Sequence, residues 1–414
     1  MRTAHGMRVL IQKFGGTSVA APEGRRRVAE LVLRAQEAGL RPCVVVSAMG
    51  RVPEPYATDS LQALARSEGQ VPARDLDLIM SCGEIVSCVV VAATLRAHGI
   101  DALPLTGSQA GIITDGTFGQ AEVVRVDPAR LLHVLEEGRV PVVAGFQGVT
   151  ETGEITTLGR GGSDTTAAVL GAALQAEAVE IYTDVEGVKT ADPRLEPMAR
   201  TLGLITYDEV AQMAHEGAKV VHPRAVEIAM RAGVPLRIRD TFSESPGTLV
   251  TYTYARQGWS QVRNGRIITA VTHIPGVVQF IIDSPPPLPG GAVQVFRALA
   301  DRGISVDMIS VSPEQHAFTV AEEVADRTAA VLRELGLQVR ERRGCAKVSV
   351  VGTRMRGVPG VMASVAEALH RAGVEILQTA DSHVTISCLI RQEDLESAVR
   401  SLHHQFRLDS PEGA

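Results

Sequence analysis

The sequence predicts an α/β fold: three layers, α/β/α, around a mostly parallel central sheet, followed by two small α+β units. Three observations predict it. Runs rich in β-branched residues at 8–11, Cys43–Val46, Val140–Val143 and Val179–Tyr182 alternate with helical patterns at roughly 23–38, 74–98, 120–137 and 163–175, the alternation of parallel strands joined by helices. At 414 residues the chain exceeds what one core holds and asks for two or three domains. Finally, its last third repeats itself with a shift of 70 residues: Pro289-Gly290 and Gly303-Ile304 are matched by Pro359-Gly360 and Gly373-Val374, and Val278 and Phe280 by Val348 and Val350.

Taken in order, residues 1–6 read as a leader and the first strand opens the large domain. A helix around 207–232 and a strand at Pro235–Arg239 extend that domain to about residue 250. The stretch 251–266, TYTYARQGWSQVRNGR, has no periodicity and suits a linker. The repeats then occupy 267–340 and 341–414, each expected as a small strand-helix-strand unit.

Composition narrows the function classes. Apolar residues make up 45%, charged residues 21% and aromatics 3%, so the core is built from Ala, Val, Leu and Ile. A formal charge of −6 and scattered arginines argue against a nucleic-acid partner. No apolar run is read as a membrane span and the N-terminus lacks a secretory pattern, so a cytoplasmic protein without a membrane partner is expected. Five cysteines (Cys43, Cys82, Cys88, Cys345 and Cys388) form no close pairs and read as buried free thiols. The histidines, His222 among them, have no metal-ligand spacing, and no protein metal site is expected.

Three segments carry candidate chemistry. QKFGGTSV, 12–19, places Lys13, Gly15, Gly16, Thr17 and Ser18 directly after the first strand. Its glycines can take backbone angles closed to other residues and let amides approach a phosphate beside the lysine charge. The spacing is neither that of a Walker A loop nor of a dinucleotide fingerprint. LGRGGSDTTAAVLGAAL, 158–174, runs from Arg160 into an Ala-rich helix with Ser163 as a natural N-cap, so free amides can meet an anion and Arg160 a carboxylate. IYTDVEGVKTADPR, 181–194, is a turn-rich loop whose Asp and Thr side chains suit a nucleotide's sugar or a magnesium shell, with Arg194 and the later Lys219 suited to phosphate oxygens. Each segment alone also admits a plain structural reading, as a tight turn, a capped helix with a solvated arginine, or a surface loop.

Together with VVVSAMG (44–50), SCGE (81–84), GFQG (145–148), TTLGRGGSDTTAA (156–168) and GAKVVHPRA (217–225), these segments make the chain resemble the aspartate kinases of the amino acid kinase superfamily over nearly its whole length. The resemblance implies transfer of the ATP γ-phosphoryl group, with Mg2+ carried by the nucleotide, to the β-carboxylate of L-aspartate. This is the first step of the aspartate-family pathway to lysine, threonine and methionine, regulated through tandem ACT domains. It implies catalytic roles for Lys13, Arg160, Asp184 and Lys219. Lys13, Phe14, Gly15, Gly16, Thr17, Ser18, Thr183, Asp184, Lys189, Arg194 and Lys219 would hold ATP, although the family often has Tyr where this chain has Lys189. Ser47, Glu84, Arg160, Gly161, Gly162, Ser163 and Asp164 would hold aspartate, Glu84 through the ammonium group. The SCGE block and the tandem tail favour aspartate over acetylglutamate, glutamate or a nucleoside monophosphate, and over a sensor that has lost catalysis.

For the tail, the resemblance implies ββαβ-like ACT units whose sheets pair side by side, usually between chains, and therefore at least a homodimer. An amino-acid effector would bind near the glycine after each helix: at Ser305, Asp307, Met308 and Ile309 in the first repeat, and at Val374, Glu375, Ile376, Asp381 and Ser382 in the second. Asp307 would meet the effector's ammonium group. ILQTADSHVTI, 376–386, resembles the diaminopimelate-sensitive kinases, with lysine and threonine as alternatives.

Overall fold

The computed structural model describes residues 6–218, 220–252, 267–283, 291–353, 355 and 358–410, so Lys219 and most of the expected linker lie outside the described residues. The chain divides into two compact units: 1–188, 201–214 and 219–260 form the first, and 189–200, 215–218 and 261–414 the second.

The first unit contains, in order, β1 (Val9–Phe14), α1 (Gly16–Ala20), α2 (Pro22–Glu37), β2 (Arg41–Val46), α3 (Thr58–Ser67), α4 (Ala73–Ala97), β3 (Ala102–Leu105), β4 (Ile112–Thr114), β5 (Val123–Val126), α5 (Ala129–Glu136), β6 (Val140–Ala144), β7 (Gln147–Val149), β8 (Ile155–Thr157), α6 (Gly162–Ala173), β9 (Ala178–Thr183), β10 (Leu204–Thr206), α7 (Tyr207–His215), α8 (Pro223–Ala232), β11 (Leu236–Asp240) and β12 (Thr248–Thr251). Eight strands form the central sheet in the order β10-β12-β11-β9-β1-β2-β6-β3, and every neighbouring pair except β11–β12 is parallel. The alternation of side chains along β1 sorts the layers. Phe14 joins Val28, Val32, Val91 and Leu95 of α2 and α4 in one buried cluster. Ile11, of opposite parity, faces α6, where a Cβ on Gly171 would lie 2.5 Å from Val179 and 3.8 Å from Ile11. Lys13 shares the Ile11 face and so points toward α6. Phe14 stacks on Tyr182 with ring centroids 4.7 Å apart, a contact worth about 1 kcal/mol beyond its buried area.

Two expected helices are corrected. The pattern at 120–137 is strand β5 followed by α5, because Val123, Arg125 and Val126 pair antiparallel with β4 and Asp127-Pro128 restarts the chain as a helix. The pattern at 207–232 is α7 and α8, divided where Gly217 takes φ +105° and Pro223 opens α8 at its first turn. The short strands β4, β5, β7 and β8 form a separate four-stranded sheet that the periodicity did not announce. A third correction concerns α4: by length and composition it could cross a membrane, which the reading of the sequence overlooked. Half of its most apolar stretch is buried inside the protein, and its buried face includes Asp77, Ser81 and Glu84. It packs as a core helix.

The second unit contains β13 (Ala270–Asp283), α9 (Gly291–Ala300), β14 (Asp307–Val311), β15 (Gln315–Ala321), α10 (Ala325–Glu334), β16 (Val339–Val351), α11 (Val361–Arg371), β17 (Gln378–Asp381), β18 (Thr385–Arg391) and α12 (Leu395–Gln405). The shift of 70 carries β15 onto β18 and the starts of α9 and α10 onto those of α11 and α12. Each repeat is therefore strand-helix-strand-strand-helix, longer than the expected strand-helix-strand and different from a ββαβ order. The repeats pair within one chain through antiparallel β13 and β16, giving one sheet of order β14-β15-β13-β16-β18-β17. The expected boundary between residues 340 and 341 falls inside β16. Of the five free cysteines, four are buried, whereas Cys82 is exposed.

Candidate active site

Neighbours lie on both sides of β1, so the loops after β1, β2 and β9 gather at the carboxyl ends of adjacent parallel strands, where open α/β sheets bind ligands. A cavity of about 550 Å³ opens there. The loop after β1 contributes Lys13, Gly15, Gly16 and Thr17 to its wall, and Thr183 and Asp184 follow from β9. Ser47 and Glu84 line the same cavity, as do Arg160, Gly161, Gly162, Ser163 and Asp164.

Neither glycine of the first loop takes the unusual backbone angles expected of it. Gly15 is extended, at φ −69°, and Gly16 has no positive φ. A Cβ on Gly16 would lie 2.4 Å from the Ala48 carbonyl oxygen, so the residue is glycine because two backbone segments touch. The Gly50 N–H donates to the Gly16 carbonyl at 3.1 Å, and the Ser47 N–H to that of Phe14 at 3.1 Å. These bonds clamp the loop after β1 to the loop after β2. Two members of the predicted phosphate loop face away from the cavity: Phe14 is buried against Tyr182, and the Ser18 hydroxyl bonds that of Thr241 at 2.7 Å.

The helix cap is also corrected. Gly161, at φ +71°, is the N-cap of α6, and Ser163 lies inside the first turn without a capping bond. Gly161 is doubly constrained, since a Cβ there would lie 2.3 Å from the His222 ring. The first turn of α6, with its free amides and partial positive charge, opens on the cavity beside Arg160.

Charges pair across the site. Lys13 Nζ lies 2.6 Å from Asp164 Oδ1, with both side chains largely buried. Arg51, absent from the sequence-based candidates although it directly follows the VVVSAMG block, lines the cavity and bonds Asp184 at 3.2 Å. Glu84 projects from α4; its Oε1 accepts the Ala48 N–H at 3.1 Å, while Oε2 is buried without a hydrogen-bond partner among the described residues. Burial pushes its carboxyl pKa up to about 8, against the lowering pull of backbone N–H groups, that of Ala48 first. A buried acceptor with one open oxygen suits an ammonium group. Sequence reasoning also missed Gly119, Phe146 and Thr157, which reach the cavity from the small sheet whose strands were not foreseen.

Lys189 and Arg194 belong to the second unit and do not line this cavity. Arg194 instead grips Asp192 with two nitrogens, the shorter contact being 2.6 Å. Among the described residues no group of three or more His, Cys, Asp or Glu is assembled as a metal site.

Comparisons with known proteins identify the family and the fold. A model of the Amino acid kinase family matches residues 8–240, more than half of the chain, and ACT domain models match 288–336 and 340–404. Aspartokinase 1 of Bacillus subtilis is 45% identical over 403 residues, which are 97% of this chain and 100% of the relative. Escherichia coli aspartokinase III in complex with aspartate and ADP, in its R-state, aligns with a TM-score of 0.76 at 28% identity over 96% of this chain and 99% of that one. The same enzyme in complex with lysine and aspartate, in its T-state, gives 0.75 at 28% identity over the same shares. The chain thus belongs to the aspartokinases, ATP-dependent kinases, and carries the paired ACT domains that fit their allosteric regulation.

Proposed function

We propose that the phosphoryl transfer takes place in this cavity, with the phosphates of ATP on the Lys13 wall and aspartate between Glu84 and Arg160. The observation that carries the reading is the joining of a lysine-bearing glycine loop, a buried carboxyl with an open oxygen and an arginine at a helix start around one space. The aspartate β-carboxylate is ionised at neutral pH, since its ordinary pKa is about 3.9, and needs no general base to attack the γ-phosphorus in line. Catalysis then rests on alignment and on neutralising the phosphoryl oxygens. Lys13, held by Asp164, supplies charge from this wall together with the loop amides, and Lys219 is assigned the same task from the resemblance. Arg160 orients a carboxylate of aspartate and Glu84 its ammonium group. Of the carboxylates that line the cavity, Asp184 is paired to Arg51 and Asp164 to Lys13, which suits a Mg2+ that arrives on the nucleotide and keeps several waters. When bound, that ion adds charge neutralisation at the phosphates.

Lysine, diaminopimelate or threonine is proposed as the effector of the tail, and a cytoplasmic location goes with this metabolism. Edge strand β14 leaves Ile309 and Val311 half exposed, which supports association of copies through the second unit. ADP release assayed with aspartate, acetylglutamate, glutamate and a nucleoside monophosphate tests the reading: aspartate alone should support turnover. Lys13→Ala should lower that turnover about 100-fold or more, as loss of one transition-state donor does. A folded Lys13→Ala enzyme with near-normal turnover would remove Lys13 from the mechanism.

A further inference from the structure

The mechanism leaves several buried acids without a task, and one of them, Asp77, bonds residues of the cavity wall. Asp77, on α4, is fully buried. Its Oδ2 accepts the backbone N–H groups of Gly119 at 2.9 Å and Thr157 at 2.8 Å, and its Oδ1 accepts the Thr157 hydroxyl at 2.8 Å. A carboxyl group so far from water is expensive to keep unless it is bonded in this way. What it holds is informative. Gly119 and Thr157 both line the cavity, and Thr157 ends β8 and begins the segment that reaches Arg160 three residues later.

That segment needs holding. Gly159 and Gly161 both take positive φ and Arg160 between them is exposed, so the local backbone has little stiffness of its own. Besides Asp77, the Thr157 carbonyl accepts the Ala121 N–H at 2.9 Å and the Leu158 N–H donates to the Phe146 carbonyl at 2.8 Å. Arg224 Nη2 in turn donates to the Ala121 carbonyl at 3.1 Å. Asp77 links this layer to α4 at Thr157 itself, the residue that opens the Arg160 segment; Gln147 Nε2, donating to the Ser81 carbonyl at 2.9 Å, ties β7 to the same helix. Seven residues further along the same helix, two turns on and on the same face, stands Glu84, a rise of about 10.5 Å.

We propose that Asp77 is a positioning residue for the aspartate site: it ties the Arg160 segment to the helix that carries Glu84. One stiff rod then sets the separation between the carboxylate clamp and the ammonium acceptor. The proposal rests on the assignment of aspartate to Glu84 and Arg160, and it assigns Asp77 no contact with substrate.

Steady-state kinetics of Asp77→Ala, Asp77→Asn and Arg160→Ala, run in parallel on the full chain, test it. In Asp77→Ala the KM for aspartate should rise about tenfold or more, the size expected for loss of buried acceptors, while the KM for ATP stays within about twofold. Asp77→Asn should restore most of the loss, because its oxygen can still accept both amides and the Thr157 hydroxyl can turn to accept its NH2. If Asp77→Ala does not fold, Asp77→Ser, which keeps one acceptor, takes its place with the same expected split. An aspartate KM unmoved in the Ala or Ser variant, ATP and aspartate KM rising together, or no rescue by Asn overturns the proposal. Arg160→Ala separates the two layers of inference: if it raises the aspartate KM and Asp77→Ala does not, the clamp stands and the positioning role falls. If Arg160→Ala leaves the aspartate KM unchanged, the clamp itself is wrong.

Discussion

Lys13 and Lys347 are both nearly buried lysines on sheet strands, one in each unit, and each has a carboxylate oxygen 2.6 Å from its ammonium nitrogen. They differ in what surrounds that pair. Lys13 has Asp164 on one side and an open cavity on the other, where the second anion must come from a ligand. Lys347 has two acids, Asp307 at 2.6 Å and Glu216 at 2.9 Å, and Glu216 also accepts the Ser349 hydroxyl at 2.7 Å. Burial would lower the Lys347 pKa, but Asp307 and Glu216 outweigh it and raise it. One cluster is incomplete without substrate and the other is complete within the chain. Asp307, read from the sequence as the partner of an effector's ammonium group, already holds an ammonium group of the protein's own.

The open cluster depends on fit, so the largest effect is expected where two backbones touch. Gly16→Ala puts a methyl group 2.4 Å from the Ala48 carbonyl, and neither backbone can swing aside as a side chain would. The loops after β1 and β2 must part, and a displacement of that order at a reacting site costs about 100-fold in kcat/KM. An alanine variant with unaltered kcat/KM and melting temperature would show that the contact does not shape the site.

A smaller effect of defined sign comes from Glu84. With its pKa near 8 the free cavity keeps Glu84 protonated at pH 7, whereas an aspartate ammonium group needs it ionised. Aspartate binding therefore releases a proton, and affinity improves as pH rises toward 8 and levels off above. For one linked proton the aspartate KM should fall about 25-fold between pH 6.5 and 8.5, with the ATP KM nearly flat. The same raised pKa makes Glu84 a stability cost that grows as pH climbs from its ordinary value of about 4.5 through 8, because the folded state then holds a proton the unfolded chain has released. Flat aspartate KM values across that range would show that Glu84 does not receive the ammonium group.

How much of this was legible follows from what each residue depends on. The central strands could be read because β1, β6 and nearly all of β2 are buried on both faces, and short apolar, β-branched stretches such as Val9–Ile11, Val44–Val46 and Val140–Ala144 mark them. Lys13, Glu84 and Arg160 came from short ordered motifs, and the structure gathers all three at one cavity. The small sheet was illegible because β4, β7 and β8 are three residues long, too short for any period. Asp77 was invisible for a related reason. Its partners, Gly119 and Thr157, come from that sheet and its loops, and nothing in the helical pattern of 74–98 marks one acid as buried. The role of Gly16 was misassigned because a sequence shows that a side chain is absent but not whether a dihedral angle or a neighbour requires it.

The closed cluster gives the subtlest prediction. If an effector's ammonium group is received by Asp307, it must displace Lys347, which can fall back on Glu216 alone. Replacing Lys347 with methionine, similar in length but uncharged, removes the competitor and leaves Asp307, whose side chain is 58% exposed, open to solvent. The variant should then be inhibited at about fivefold lower concentration by whichever of diaminopimelate, lysine or threonine inhibits the parent, the lower end of usual coupling energies. Its uninhibited kcat should change little, since Lys347 belongs to the second unit and not to the cavity. Some stability is lost as well, because the buried Glu216 loses the Lys347 ammonium group 2.9 Å away. Inhibition curves for the three amino acids decide the matter. Superimposable curves for parent and variant would mean that Asp307 and Lys347 form a structural pair and that the effector is read elsewhere on the tail. A fall in kcat without any effector would mean that the two lysines are not separable as function and regulation, and that the closed cluster supports the open one.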